Sequence, residues 1–480
     1  MKRTKIPRPL LVGVFVLSPI LLLLAIVLFL NLTKQPPPPP RGEILFSENR
    51  PQLDASPSNN TIHPDDSFDW IHERVDGLMT WDKNPWKRQR NSFGDRYLKL
   101  QSSDDPDDQA EAAQIREWAH ALYLRTLERY PELAVEYKNI SPEENGFLKF
   151  LDFYERMAAS DTENLNLSNE LNRMTDEEAE WNPDLFRTWR EQNPDILADL
   201  LAIGLTGEQS VFGIEVSRYS FLGARTAMNG TDALLLNARL SLDEGDTVTA
   251  LQSVRAVRGL ADHFTEVETP TLLSATISIL INHSISRYAL TDLLPAVPPE
   301  QADPSAWEEA LRPQLAPPSE FARLMVGEWH VISQEYFFPA LSDSLDPKYP
   351  SDPGALIDYY ASNYLNVAQA YSSNHQPDWI SATSPGFSSP ALLSRESRKH
   401  AEIFSTGAEA WSKGYQRSNH QTAMVQAAFA IMKDEPIPAD PVYDLPYQWD
   451  PATRVLSPPI SQNPMLKDGW LHPITVPLAR

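Results

Sequence analysis

The sequence predicts a mainly α protein: an N-terminal transmembrane helix, then an antiparallel array of helical hairpins, then a small proline-rich tail containing a short β-hairpin. Three observations predict it. Leu10–Leu30 is an apolar run of 21 residues without a charge. Between 232 and 290, apolar residues recur at helical spacing, interrupted by short breaks. Proline is abundant, 42 of 480 residues, and glycine sparse at 18, a composition of helices with many stops and few glycine-rich loops. The expected layout is a cytoplasmic N-terminus at 1–9, a signal-anchor helix at 10–30, a disordered tether at 31–65, an extracytoplasmic helical domain at 66–435 and the tail at 436–480.

The anchor comes first. At ~1.5 Å per residue the run from Leu10 to Leu30 spans about 31 Å, the thickness of a bilayer's hydrocarbon core. Lys2, Arg3, Lys5 and Arg8 precede it, and only Lys34 and Arg41 follow closely. The excess of bases ahead of the helix predicts a cytoplasmic N-terminus and an outside, periplasmic-type location for the bulk. A cleaved signal has a shorter apolar core, ~7–15 residues, and a small-x-small site. This run instead ends Phe29-Leu30-Asn31-Leu32-Thr33-Lys34. Residues 10–30 thus predict one partner, the lipid bilayer. Pro36–Pro40 predicts a stiff polyproline rod of about 16 Å within the tether.

The formal charge is −24. The first 40 residues hold five bases and no acid, so the rest carries 36 bases against 65 acids, or −29. Such a field repels nucleic-acid backbones, and no nucleic-acid partner is expected. A local exception, Lys83, Lys87, Arg88, Arg90, Arg96 and Lys99 against Asp95, is expected to dock on the protein's own acids at Asp104–Glu111.

Those acids and Pro106 suit the first turn of a helix that carries Ile115, Trp118, Ala119 and Leu122 and ends near Tyr130-Pro131. Ser141-Pro142-Glu143-Glu144 predicts the next helix start. Leu234, Ala238 and Leu242 stripe one helix, Ala250, Val254, Val257 and Ala261 a second, and Leu273, Ile277, Leu280 and Tyr288 a third. Glu244-Gly245-Asp246 and Thr269-Pro270 break them. The helix–Gly-Asp–helix passage looks like one tetratricopeptide-type unit without a second copy at a fixed period. Residues 291–318 predict a connector. Helices are expected to resume at 319–336, 353–371 and 395–432. In the tail, 446–449 and 454–457 predict strands around the turn Asp450-Pro451-Ala452-Thr453.

Chemistry is sparsely signalled. There is no cysteine, and no nucleotide-loop, zinc-protease or hydrolase-elbow motif. No catalytic, cofactor-binding or metal-binding residue is assigned. Glu396 and His400, at i, i+4, predict an ion pair. Asn282 and His283 predict an interhelical polar pair. Gly327-Glu328-Trp329-His330 predicts helix surface plus core. Glu177-Glu178 is one acid pair among many. An enzyme would need two or more of His263, His283, Glu328, His330 and His400 to converge.

Trp189–Pro194, Leu234–Asp246, Glu268–Leu273 and the tail Pro438–Trp449 together resemble single-pass helical envelope proteins of planctomycete and verrucomicrobial bacteria. The tail is also similar to the ending of type II secretion pseudopilins, which implies a small β-structured lobe. The pseudopilin likeness stops there, because no Gly-Phe-Thr-x-x-Glu cleavage motif precedes the membrane helix. The resemblance implies fold and location rather than catalytic residues. The functional expectation is a membrane-anchored scaffold or interaction module that binds other envelope proteins. The alternatives are an accessory of a secretion or pilus-like system, or an envelope hydrolase built from dispersed acids and histidines.

Overall fold

The computed structural model describes residues 95–160, 162, 165–175, 180–219, 223–298, 301, 303–341, 357–358, 360–366, 368, 418–440, 444–459 and 473–477. The expected anchor at 10–30, the tether at 31–65, the bases before Asp95, Glu177-Glu178, Glu396 and His400 lie outside them. The described chain is mainly helical, with short antiparallel strands near its C-terminal end. Among the described residues no helix is long and apolar enough to cross a membrane.

In chain order the principal helices are α1 (Asp95–Gln101), α2 (Pro106–Arg129), α3 (Gly146–Ala159), α4 (Asn169–Met174), α5 (Pro183–Gln192), α6 (Pro194–Gly204), α7 (Ala224–Asp243), α8 (Thr247–Thr265), α9 (Leu272–Tyr288), α10 (Pro304–Leu311), α11 (Pro318–Ile332) and α12 (418–432). The chain divides into two compact units.

The first unit contains α1, α2, the π-helical turn Ser333–Phe337, the short helix Phe338–Leu341 and helical residues near 357–365. Its longest helix starts as its sequence dictates. The Asp105 carboxylate accepts the Asp107 N–H at 2.9 Å, Pro106 occupies the first turn, and Asp107 and Asp108 meet the positive end of the helix dipole. Tyr97, Leu100, Ala112 and Ile115 form a small apolar cluster. At the far end of α2, Arg129 and the Tyr130 hydroxyl both donate to Asp358, each at 2.7 Å.

The second unit contains α3–α10, α11 as far as Val331, α12 and the tail. Its centre is α7, which is buried on almost every side from Thr226 to Leu242; a helix apolar all round belongs in a core. The break after it is local chemistry. Gly245 takes φ +79, a left-handed value that costs glycine least, and Asp246 then caps α8 by accepting the Thr249 N–H at 3.0 Å.

Two expectations are corrected. The helix expected at Ser141-Pro142 starts instead at Gly146, because Asn145 Oδ1 accepts the Leu148 N–H and so caps it, while Ser141–Glu144 closes a turn. The connector expected at 291–318 contains α10, capped by Asp303, opened by Pro304 and stopped at Arg312 by a left-handed φ of +41; it buries Trp307. Two further helices, α5 and α6, each begin on the proline of an Asn-Pro pair, at 182–183 and 193–194. A proline in the first turn opens both, and α5 adds a side-chain cap, Asn182 Oδ1 accepting the Leu185 N–H at 3.2 Å.

The tail pairs β1 (Ala439–Asp440) with β2 (Leu445–Pro446), and β3 (Gln448–Asp450) with β4 (Val455–Ser457), which in turn pairs β5 (Ile474–Thr475). Asp450 closes the β3–β4 turn by accepting from the Ala452 N–H and the Thr453 hydroxyl. Leu456, Val476 and Tyr447 join the unit's main core. His420 Nδ1 meets Asp440 at 2.8 Å and the Tyr447 hydroxyl donates to the same carboxylate oxygen at 3.0 Å, so a buried polar knot ties the tail to α12.

Candidate functional site

The α8–α9 turn, Glu266–Thr271, gathers a dense set of buried and half-buried charged and polar contacts. Two helix ends meet here, and each leaves orphan backbone groups. At the α8 end, Arg323 of α11 donates to the Thr265 carbonyl and, at 2.7 Å, to the Val267 carbonyl, with Glu320 holding its guanidinium. A cation at a helix C-terminus also complements the dipole. At the α9 end, Thr271 and Ser274 form a reciprocal capping box, and the Glu328 carboxylate accepts the Leu272 N–H at 2.9 Å. α11 comes this close because of Gly327: a Cβ there would lie 2.1 Å from the Pro270 carbonyl oxygen.

Glu268, buried in the middle of the turn, works in the opposite direction. Its carboxylate accepts the Lys138 N–H at 2.8 Å, the Ser210 hydroxyl at 2.7 Å and the Val211 N–H at 2.9 Å. Asn145 adds two bonds to Ser210, one through each end of its amide. The loops around 135–145 and 205–214 are thereby stitched to one another and to the turn. They carry Tyr137 and Phe212, 37% and 53% exposed, with ring centroids 6.3 Å apart. Four exposed acids, Glu136, Glu143, Glu144 and Glu208, share these segments with one exposed base, Lys138.

The residues singled out from sequence fall in separate settings. Glu328, expected on a helix surface, is partly covered by the turn, where its carboxylate accepts the Leu272 N–H. Desolvation raises its pKa from 4.5 to about 7 against the opposing pull of the Leu272 N–H. His330 is buried, edge-on to Trp329. His263 is buried, its Nε2–H donating to the Ile203 carbonyl at 2.8 Å while Nδ1 has no hydrogen-bond partner among the described residues. Its ring presses on Gly146, where a Cβ would meet the imidazole at 2.1 Å. Burial lowers the His263 pKa below 6.5, over the opposing bond to Ile203. Asn282 accepts from Arg258 of α8, and exposed His283 pairs with Gln421 of α12. Buried Asp262, missed from sequence, is held by Arg258 and Arg312; burial raises its pKa although both cations oppose it.

The two titrations have opposite signs. Between pH 4.5 and about 7 the folded chain keeps a proton on Glu328 that the unfolded chain has shed, so this group's stabilisation is whole below 4.5 and shrinks as pH rises. His263 does the reverse, with stability lost as pH falls through 6.5 because the unfolded chain takes up a proton first. Glu328→Gln keeps an acceptor for Leu272 and removes only the first effect. The variant is expected to match the wild type near pH 4.5 and to exceed it by about 2 kcal/mol at pH 8, while still losing stability on acidification below pH 6.5. Urea midpoints at the two pH values check this; an equal difference at both would refute it.

In chemical terms these carboxylates, cations and amides are occupied in terminating helices and joining loops, and the outward product of that work is the Tyr137–Phe212 pair with its acidic surroundings. Among the described residues no three histidine, aspartate or glutamate side chains are grouped to hold a metal ion. Comparison of the chain with protein-family models, with curated proteins and with solved structures found no match.

Proposed function

We propose that the chain is a membrane-anchored interaction module of the cell envelope: an antiparallel helical-hairpin array carried on a proline-rich tether outside the cytoplasm, binding partner proteins. Support for the anchor is the uncharged run Leu10–Leu30 with its preceding bases. The observation that carries the binding reading is the exposed Tyr137–Phe212 pair on loops braced from below by Glu268. Exposed aromatics fixed in advance lose little conformational entropy on binding and make effective anchors. The acidic neighbours favour a partner surface rich in lysine and arginine.

Crosslinking with mass spectrometry in the native host tests this. The Tyr137→Ala/Phe212→Ala double variant is expected to lower the melting temperature by no more than a few degrees, since neither residue belongs to an apolar core cluster. It is expected to lose at least about four-fifths of the crosslinks made from 135–145 and 205–216, a fall equivalent to ~1 kcal/mol of binding. Unchanged crosslinks would overturn the binding reading, and extraction of the intact chain by alkaline carbonate would overturn the anchor.

A further inference from the structure

We propose that Asn145-Gly146 is a self-modification site guarded by the 205–214 loop: when that loop lifts, Asn145 deamidates, and the product keeps the loop from reseating. The chemistry is intrinsic to the pair. The Gly146 backbone nitrogen, its proton lost to solvent, attacks Cγ of Asn145. A C–N bond closes a cyclic imide, the Cγ–Nδ2 bond breaks, and Nδ2 leaves as ammonia with a proton taken from water. Water then opens the imide at either carbonyl, giving aspartate or isoaspartate. Glycine makes the attack easiest, because it has no Cβ beside the nitrogen and its backbone turns freely. The fold nonetheless requires glycine here: the His263 ring fills the space, 2.1 Å from where a Cβ would stand.

In the folded chain the reacting groups are held. The Gly146 N–H donates to the Glu208 carbonyl at 2.8 Å, and Asn145 Nδ2 donates to the Ser210 carbonyl at 2.8 Å. Asn145 Oδ1 accepts the Ser210 N–H and the Leu148 N–H, each at 3.2 Å. Asn145 is 3% exposed. All but the Leu148 bond run to residues 208–210, so the guard is the loop rather than α3. Leu205, Gly207, Glu208, Phe212 and Gly213 of that loop are exposed, and Glu268 holds its inner side through Ser210 and Val211. Exposed loops fixed by a few polar bonds open locally at far smaller cost than a core helix does. The chain's other Asn-Gly pair, Asn229-Gly230, is the contrast: it lies buried inside α7 and is freed only when the unit unfolds.

The product makes the opening one-way. Aspartate at 145 puts an oxygen where Nδ2 was, so carboxylate and Ser210 carbonyl face each other, acceptor against acceptor. Isoaspartate also adds a methylene to the main chain at the α3 cap. Either change costs the loop its seat, and with it the fixed position of Phe212 beside Tyr137. That last consequence rests on the proposed binding surface; the modification does not.

The test is to hold the folded full-length chain at pH 8 and follow conversion at both asparagines by peptide mass. Asn145 is expected to convert at least about tenfold faster than Asn229, because only local opening exposes it. Glu268→Gln, which weakens the loop's inner hold, should speed Asn145 at least about fivefold and leave Asn229 level. Asn145→Asp, the product made directly, should lower hydrogen-exchange protection of residues 205–214 at least about fivefold. No conversion at Asn145 in the folded chain, equal conversion at both sites, or wild-type protection in Asn145→Asp overturns the inference. Crosslinks lost in the aromatic variant while Asn145 stays intact remove this inference and leave the binding surface standing; conversion at Asn145 with unchanged crosslinks does the reverse.

Discussion

Glu268→Ala is expected to lower the stability of the second unit by about 3 kcal/mol. The carboxylate satisfies two backbone donors, Lys138 N–H and Val211 N–H, from loops separated from it by 130 and 57 residues. Alanine leaves the Val211 N–H without an acceptor in a buried place, at ~1–3 kcal/mol, and the Lys138 N–H without one at the partly covered edge of the turn, for less. The Ser210 hydroxyl is the lesser loss, because the Lys138 carbonyl, also at 2.7 Å, takes its one proton once the carboxylate is gone. Glu268→Gln discriminates between removing the side chain and removing its charge. One amide oxygen still accepts from Lys138, but the –NH2 then faces the Val211 N–H, donor against donor. About half the alanine effect is expected. In thermal melts the alanine variant should unfold roughly 6–12 °C earlier, with the glutamine variant between it and the wild type. An alanine variant melting within about 2 °C of wild type, or a glutamine variant worse than alanine, would show that the turn does not depend on this carboxylate.

That dependence was not legible in the sequence. Glu268 stands beside Glu266 and Val267 in a chain with 65 acids, and nothing local marks it as the buried one. Its partners come from two distant loops, and sequence spacing carries no information about them. Glu328 misleads for a related reason. Helical periodicity places it on a polar side of α11, but the α8–α9 turn covers that side, bringing an orphan amide with it. What was legible is what local physics decides. The α7 and α8 stripes, Gly245 and Asp246 specify two helices and the break between them. Asp105-Pro106 and Asp303-Pro304 carry the same cap-and-proline signature and open α2 and α10. In the tail, the Asp450 turn set the β3–β4 pairing nearly as expected, while β1, β2 and β5 are too short to announce themselves.

Gly259→Ala should be destabilising by about 3 kcal/mol even though alanine is the better helix former by ~1 kcal/mol. The reason lies in how closely α6 meets α8. A Cβ on Gly259 would stand 1.8 Å from the Gly204 carbonyl oxygen, and a Cβ on Gly204 would stand 2.1 Å from the Ala256 carbonyl oxygen. The obstruction in each case is main chain, which cannot swing aside as a long side chain can, so α6 must shift bodily away from α8. Such a shift disturbs buried Leu200 and Ile203 on α6, and it moves the Ile203 carbonyl that accepts from His263. The matched control is Gly207→Ala, where a Cβ meets nothing within 4 Å and the backbone is not left-handed; there the change should be neutral or stabilising by a few tenths of a kcal/mol, through the unfolded chain. Because Gly204 and Gly259 report one contact, Gly204→Ala combined with Gly259→Ala should cost clearly less than the sum of the two alone, since the first displacement makes room for the second. Urea denaturation of the three single variants and the double checks all of this at once. Additive losses at 204 and 259, or a Gly259→Ala midpoint no lower than that of Gly207→Ala, would mean that α6 and α8 are not in backbone contact.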